Sequence, residues 1–174
     1  GYRKVNRIAM VIAFSGFRDE ELFVPYRYFL ERGCEVKIYS TQKGTAKGKL
    51  GATFEVEHVL ADLDVHHIDA LVIIGGPGGY EYIGDKLLQG IIKQADQENK
   101  WIAAICMAPQ LVAETGLLQG RNATIFSADQ ERLVHFGAKY TGKPVEVDGR
   151  FITADGPTSA QAFAQTLIQK LHAT

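Results

Sequence analysis

Three short apolar runs constrain the fold of this chain more than any other feature. They cover Ile8–Phe14, Ala70–Ile74 and Trp101–Ile105, and each is apolar at both odd and even positions. Apolar residues at both odd and even positions are typical of a strand that is covered on both faces, as in a parallel sheet. The sequence therefore predicts a mostly parallel central sheet between two layers of helices.

Helix-like stretches separate these strands. The first stretch, Glu20–Arg32, is preceded by Asp19 as a candidate N-cap and ends at Gly33. Pro25 within it is expected to kink or restart the helix. The second stretch, Tyr80–Gln97, has the apolar spacing of one continuous helix. The remaining predicted helices are Ala108–Thr115, Ala128–Phe136 and Ser159–Leu171.

Two segments interrupt the alternation of strands and helices. Gly44–Leu60 alternates weakly and predicts an exposed β-hairpin or excursion. In Pro144–Asp155, two short runs are joined by Asp148-Gly149, which is a strong hairpin signal. The whole pattern predicts a single α/β domain over residues 1–174, an open doubly wound sandwich with a small β-hairpin excursion. Residues 1–4 are expected to be a flexible terminus.

Composition narrows the functional classes. The chain has 19 basic and 20 acidic residues, a net charge of −1, so we expect no nucleic-acid partner. No apolar run is long enough to span a membrane, and no signal-peptide pattern opens the chain. Two cysteines, Cys34 and Cys106, cannot form a disulfide framework, and no ligand set is spaced for a metal. We therefore expect a cytoplasmic protein without a metal.

Glycines are clustered at the end of the second run. Four of the 18 glycines lie in Gly75–Gly79. The cluster is neither a dinucleotide fingerprint nor a P-loop, because the later glycine and the lysine that those motifs require are missing. Bare backbone N–H groups there could approach a ligand, as in an oxyanion hole. The alternative is a glycine-rich turn with no ligand.

Cys106 lies between the strand Trp101–Ile105 and a helix opened by Pro109. A nucleophile in such a strand-to-helix turn is exposed at the top of the sheet, and the helix N-terminus favours its thiolate. The alternative is a buried structural cysteine, which is our interpretation of Cys34. An acidic residue after the first strand, Glu20 or Glu21, could face Cys106 with a raised pKa and donate a hydrogen bond. The sequence leaves the choice between these two glutamates open.

Together these residues resemble the ThiJ/PfpI superfamily along essentially the whole chain. The resemblance implies a flavodoxin-like fold, a homodimer, and a functional pair formed by Cys106 and Glu21. It also implies backbone N–H donors at Gly75, Gly76 and Met107. The segments that carry the resemblance are Gly16–Leu22 with Pro25, Ile74-Gly75-Gly76, Ala103–Cys106 with Pro109, and Thr153–Pro157.

Two subgroups of this superfamily have a histidine near the cysteine that this chain lacks. Protease-like members place a histidine directly after the cysteine, where this chain has Met107, and some deglycase-like members supply one at the position of Phe126. A cysteine hydrolase therefore lacks its usual base here.

These observations lead to one functional hypothesis and two alternatives. The first is a glyoxalase- or deglycase-like activity without cofactor, in which Cys106 adds to a small-molecule carbonyl and a protonated Glu21 assists. The second is a redox-responsive, stress-protective or chaperone-like protein in which an oxidant modifies Cys106. The third, an intracellular cysteine peptidase or amidase, is disfavoured because Met107 replaces the histidine.

Overall fold

The centre of the structure is a seven-stranded, mostly parallel sheet. The structure is a computed structural model that describes residues 4–173, so residues 1–3 of the expected flexible terminus lie outside it. The strands are β1 (Arg7–Val11), β2 (Ser15–Phe17), β3 (Glu35–Ser40), β4 (Gly44–Gly48), β5 (Thr53–Val56), β6 (His58–Val59), β7 (Ala70–Ile73), β8 (Trp101–Ile105), β9 (Asn122–Ala123), β10 (Lys139–Tyr140), β11 (Val145–Asp148) and β12 (Phe151–Ala154). The helices are α1 (Asp19–Glu31), α2 (Lys86–Gln97), α3 (Pro109–Ala113), α4 (Gln130–His135) and α5 (Ala160–His172).

The strand order creates a switch point next to β1. In the described residues the sheet runs β11-β12-β8-β7-β1-β3-β6, and all neighbours are parallel except β11 and β12. The chain leaves β1 for β3 on one side and later returns to β7 on the other. In open α/β sheets, ligands bind outside the carboxyl ends of the strands at such a point.

Helices cover both faces of this sheet, as the sequence predicts. Every residue of β7 and β8 is buried. Helix α1 packs against α5, α2 packs against α3, and both α2 and α5 contact β8. Buried side chains such as Leu22, Phe29 and Phe163 form the helix–sheet interface, and each contributes about 1.5–3 kcal/mol when fully buried. The mixed α/β class with helices on both sides is confirmed.

Two details of the predicted helices are wrong. The helix does not restart at Pro25, which lies buried inside one continuous α1. Asp19 does not cap this helix; its carboxylate accepts hydrogen bonds from the N–H groups of Leu50 and Ala52, at 2.8 and 2.9 Å. These bonds connect the start of α1 to the loop between β4 and β5.

The predicted helix over 80–97 is shorter than expected. Residues Pro77–Tyr82 form a 3₁₀ segment, and α2 begins only at Lys86. Gly84 has a φ of +78°, which ends the helical path, and the Asp85 side chain caps the new helix through the N–H of Leu88. Periodicity alone could not show this break.

Both predicted hairpins are present. Strand β4 pairs antiparallel with β5, and β11 pairs antiparallel with β12 across Asp148-Gly149. The sequence did not indicate β2, which adds to β4 in parallel and completes a three-stranded sheet. Among the described residues, no helix combines the length and apolar character needed to cross a bilayer.

Candidate functional site

Cys106 occupies a tight turn between β8 and α3. Its φ of +64° is left-handed, a conformation that costs a non-glycine residue about 1 kcal/mol or more. Two backbone hydrogen bonds fix the turn: the Cys106 N–H donates to the carbonyl of Ala154 at 2.9 Å, and its carbonyl accepts from the N–H of Phe126 at 2.8 Å. The thiol is partly buried.

Glu21 lies in the first turn of α1 and is completely buried. Its Oε1 accepts a hydrogen bond from the backbone N–H of Gly75 at 2.9 Å. Apart from the side-chain hydrogen bond between the carboxyl group and the Cys106 thiol, its Oε2 has no partner among residues 4–173. A buried carboxyl oxygen with no other partner is costly, so this one requires an explanation.

Gly75 allows the cysteine and the glutamate to approach each other. A Cβ added to Gly75 would lie 2.7 Å from Cβ of Cys106, 2.8 Å from Oε1 of Glu21 and 2.8 Å from the carbonyl oxygen of Ile105. Any side chain at this position would therefore separate the two functional groups.

Of the two neighbouring glutamates, the structure places Glu21 beside Cys106 and Glu20 at the surface. Glu20 is 38% exposed at its side chain and forms a two-pronged pair with the Arg18 guanidinium, at 3.0 and 2.9 Å. Glu21 faces the interior beside Cys106. The helical turn separates them because consecutive side chains point about 100° apart.

Burial raises the pKa of Glu21 to about 7, and its interactions with Cys106 and the Gly75 N–H oppose this rise. The shift agrees with the raised pKa that the sequence predicts. The carboxyl therefore changes its charge near neutral pH, where an acid–base group is most effective.

The pKa of Cys106 differs from the sequence-based expectation of a thiolate. Burial, together with the charge of Glu21, raises the pKa of the thiol to about 12, although the N–H groups of Met107 and Gly76 oppose this. The five-residue α3 does not overcome burial next to a carboxylate. The resting pair is a thiol beside a carboxyl group that can accept its proton.

The three predicted N–H donors do not share one acceptor. Those of Gly76 and Met107 interact with the Cys106 sulfur. The N–H of Gly75 is already engaged by Glu21. Gly75 thus positions the carboxyl group, while Gly76 and Met107 are available to stabilise negative charge on sulfur or on an atom bound to it.

Sequence reasoning gave no role near the cysteine to Arg18, Tyr80 or Asp129, and it considered Phe126 only as the position of a histidine in relatives. The charges of Arg18 and Tyr80 interact with that of Cys106, Tyr80 bonds to Asp129, and Phe126 holds the Cys106 carbonyl. Tyr80 directly follows the glycine cluster, which was the one available signal.

The described histidines with ionic partners lie elsewhere. His66 pairs with Glu98 and His67 with Asp64, both just before β7 and therefore at the opposite edge of the sheet from Cys106. Across residues 4–173, no group of three or more His, Cys, Asp or Glu residues is arranged to hold a metal ion.

The molecule is a flavodoxin-like α/β protein in which a cysteine and a buried glutamate lie together near the carboxyl ends of the central strands. Residues 6–170 match the DJ-1/PfpI family, and the chain belongs to this family. The predicted relation to the ThiJ/PfpI superfamily is thereby confirmed.

Relatives extend over most of the chain. An uncharacterized protein of Methanocaldococcus jannaschii is 38% identical over 172 residues, covering 97% of this chain and 83% of that protein. Deglycase PfpI of Pyrococcus furiosus is 28% identical over 162 residues, covering 93% of this chain and 98% of that protein. The crystal structure of a ThiJ/PfpI domain protein from Brachyspira murdochii superimposes with a TM-score of 0.94 at 32% identity and covers 99% of each chain.

Proposed function

We propose that this protein acts on reactive carbonyl compounds in a glyoxalase- or deglycase-like manner, with Cys106 as nucleophile and Glu21 as proton carrier. The observation that carries the proposal is the buried Glu21 carboxyl beside Cys106, which the Gly75 N–H anchors through Oε1 and which also shares a hydrogen bond with the thiol. Relatives named deglycase, such as that of Pyrococcus furiosus, support the same function.

The first step is addition of the thiol to an aldehyde. The sulfur of Cys106 forms a bond to the carbonyl carbon, the C=O π electrons move to oxygen, and the thiol proton passes to the Glu21 carboxylate. Glu21 then returns the proton to the oxygen, which yields a hemithioacetal. Because the N–H groups of Gly76 and Met107 interact with the sulfur, they also lie close to the developing alkoxide.

With an α-oxoaldehyde such as methylglyoxal, a second step follows without an external oxidant. A proton leaves the former aldehyde carbon and a proton is added to the neighbouring carbonyl carbon, while the hydroxyl proton of the hemithioacetal is lost and the neighbouring oxygen gains one. The hemithioacetal thereby isomerises to a thioester of the hydroxy acid. Water then hydrolyses the thioester, releasing lactate and restoring the thiol. Carbon oxidation at one centre is balanced by reduction at the next, so this chemistry needs only water.

Oε2 of Glu21, which has no partner among residues 4–173 other than the thiol, also favours a second candidate function, a stress-protective role through oxidation of Cys106. A peroxide would transfer an oxygen atom to the sulfur and be reduced to water or an alcohol. A protonated Glu21 could donate a hydrogen bond from Oε2 to the new oxygen. A homodimer and a cytoplasmic location remain predictions.

The test compares Cys106→Ala, Glu21→Gln and Cys34→Ala in methylglyoxal consumption. We expect loss of activity in the Cys106 variant, a large reduction in the Glu21 variant and normal activity in the Cys34 variant, because Cys34 lies in the core. Unchanged turnover in Cys106→Ala would rule out the proposed chemistry. Mass spectrometry after mild peroxide treatment, with oxygen added at Cys106 and not at Cys34, tests the second candidate.

A further inference from the structure

A hydrogen bond joins the two loops beside Cys106. The phenol of Tyr80 donates to Oδ2 of Asp129 at 2.6 Å, across 49 residues of sequence. Tyr80 belongs to the Pro77–Tyr82 segment that follows β7, and Asp129 ends the Ser127–Asp129 turn that follows β9. We call this hydrogen bond the strap.

Both ends of the strap are anchored next to the reactive turn. On one side, Gly79 packs so closely on Met107 that an added Cβ would lie 2.6 Å from its Sδ. On the other, the Phe126 N–H donates to the Cys106 carbonyl at 2.8 Å, and the Phe126 carbonyl accepts from the Asp129 N–H at 2.8 Å. The strap therefore joins two segments that each contact the Cys106–Met107 turn.

The environment of Tyr80 agrees with this position. Its pKa is raised by partial burial, by the hydrogen bond to Asp129 and by the charge of Cys106. The phenol thus remains protonated and keeps donating to Asp129 throughout the physiological pH range. The residue is nevertheless 41% exposed, so the strap lies at the surface of the molecule.

We propose that Tyr80 and Asp129 determine specificity, because the strap limits the width of the opening to Cys106. The site would then accept small, free α-oxoaldehydes and exclude carbonyl adducts carried on a protein surface. This inference rests on the proposed function for its substrate class, but the restriction of access to the thiol can be measured without turnover.

The experiment compares two maleimides that share one reactive group, N-ethylmaleimide and a long polyethylene glycol maleimide. The readout is the ratio of their rates of addition to Cys106, with addition to Cys34 subtracted by use of Cys106→Ala. Tyr80→Phe keeps the ring and removes the donor, whereas Asp129→Ala removes the acceptor. Because loss of a hydrogen bond to a charged group changes an equilibrium by about tenfold or more, we expect each variant to raise the relative rate of the bulky reagent about tenfold.

A matched control is Tyr28→Phe on α1, which keeps the ring beneath the Arg32 guanidinium and should leave the ratio unchanged. The double variant of Tyr80 and Asp129 should resemble either single variant, because both remove the same bond. A wild-type ratio in folded Tyr80→Phe and Asp129→Ala proteins would overturn the proposal. If the Tyr80 and Asp129 variants raise the maleimide rate ratio as expected but Cys106→Ala still consumes methylglyoxal, the proposed function fails and the role of the strap stands.

Discussion

Gly75 donates its backbone N–H to Oε1 of Glu21 over 2.9 Å, which connects the end of β7 to the first turn of α1. The bond fixes one carboxyl oxygen, and within residues 4–173 the Cys106 thiol is the only other hydrogen-bond partner of this carboxyl group. The same glycine lies against Cβ of Cys106. One backbone position therefore sets the orientation of the carboxyl group and its separation from the thiol.

Replacing Gly75 by alanine should damage both stability and chemistry. The new Cβ would lie within 2.8 Å of Glu21 and Cys106, and overpacking of this kind typically costs about 1–3 kcal/mol. Urea unfolding measures the stability and methylglyoxal consumption measures the activity. We expect both to decrease.

Gly90→Ala is the matched control for this change. Gly90 lies within α2, and an added Cβ would meet no atom within 4 Å. Alanine should therefore stabilise the helix by about 0.5–1 kcal/mol and leave activity intact. Equal effects of the two substitutions would contradict the crowding we describe at Gly75.

The rate of Cys106 alkylation by iodoacetamide should rise with pH through about 7, because the ionised Glu21 carboxylate accepts the thiol proton. In Glu21→Gln this rise should disappear, and reaction should depend on ionisation of the thiol alone. Glu20→Gln should retain it, since Glu20 pairs with Arg18. A rise near pH 7 that persists in Glu21→Gln would show that another group activates the thiol.

The free energy of unfolding should depend on pH because the Glu21 carboxyl has different pKa values in the folded and unfolded states. The pKa of Glu21 is about 7 in the folded protein against 4.5 ordinarily, so the folded state binds more protons between these values. Its contribution is therefore complete below pH 4.5 and is lost as pH rises through 7, by up to about 3 kcal/mol. Urea unfolding of wild type and Glu21→Gln across this range measures the difference.

Glutamine cannot titrate, so the free-energy difference between the two proteins should shift in favour of Glu21→Gln as pH rises. The variant keeps an oxygen that can accept from the Gly75 N–H, and it therefore serves as its own structural control. A difference that stays constant from pH 4.5 to 7 would disprove the raised pKa.

Burial patterns made much of the fold predictable. Continuous apolar runs identified β1, β7 and β8, and Asp148-Gly149 identified the hairpin between β11 and β12. Strand β2 has three residues and pairs with β4, a contact that depends on tertiary structure and leaves no periodic signal. The 3₁₀ segment before α2 was missed because its apolar spacing resembles that of a helix.

The candidate site was predictable in its residues but less so in its electrostatics. Cys106 and an acidic residue, Glu20 or Glu21, could be proposed because the preceding strands end at one edge of the sheet, and only the resemblance to the ThiJ/PfpI superfamily pointed to Glu21. The hydrogen-bond partners of these residues could not be predicted. The Gly75 N–H could donate either to a substrate or to Glu21, and only the three-dimensional structure shows that it donates to Glu21. The pKa of Cys106 likewise depends on burial, which outweighs the short helix that the sequence emphasised.

The left-handed backbone at Cys106 has a consequence for the choice of an inactive reference protein. Alanine at this position retains a Cβ at a φ of +64°, so it removes the sulfur and keeps the conformational penalty. Glycine removes both and should yield a more stable protein than alanine, by about 1 kcal/mol. In living cells the glycine form could accumulate to a higher level, and the alanine form is therefore the fairer comparison for any phenotype attributed to the thiol.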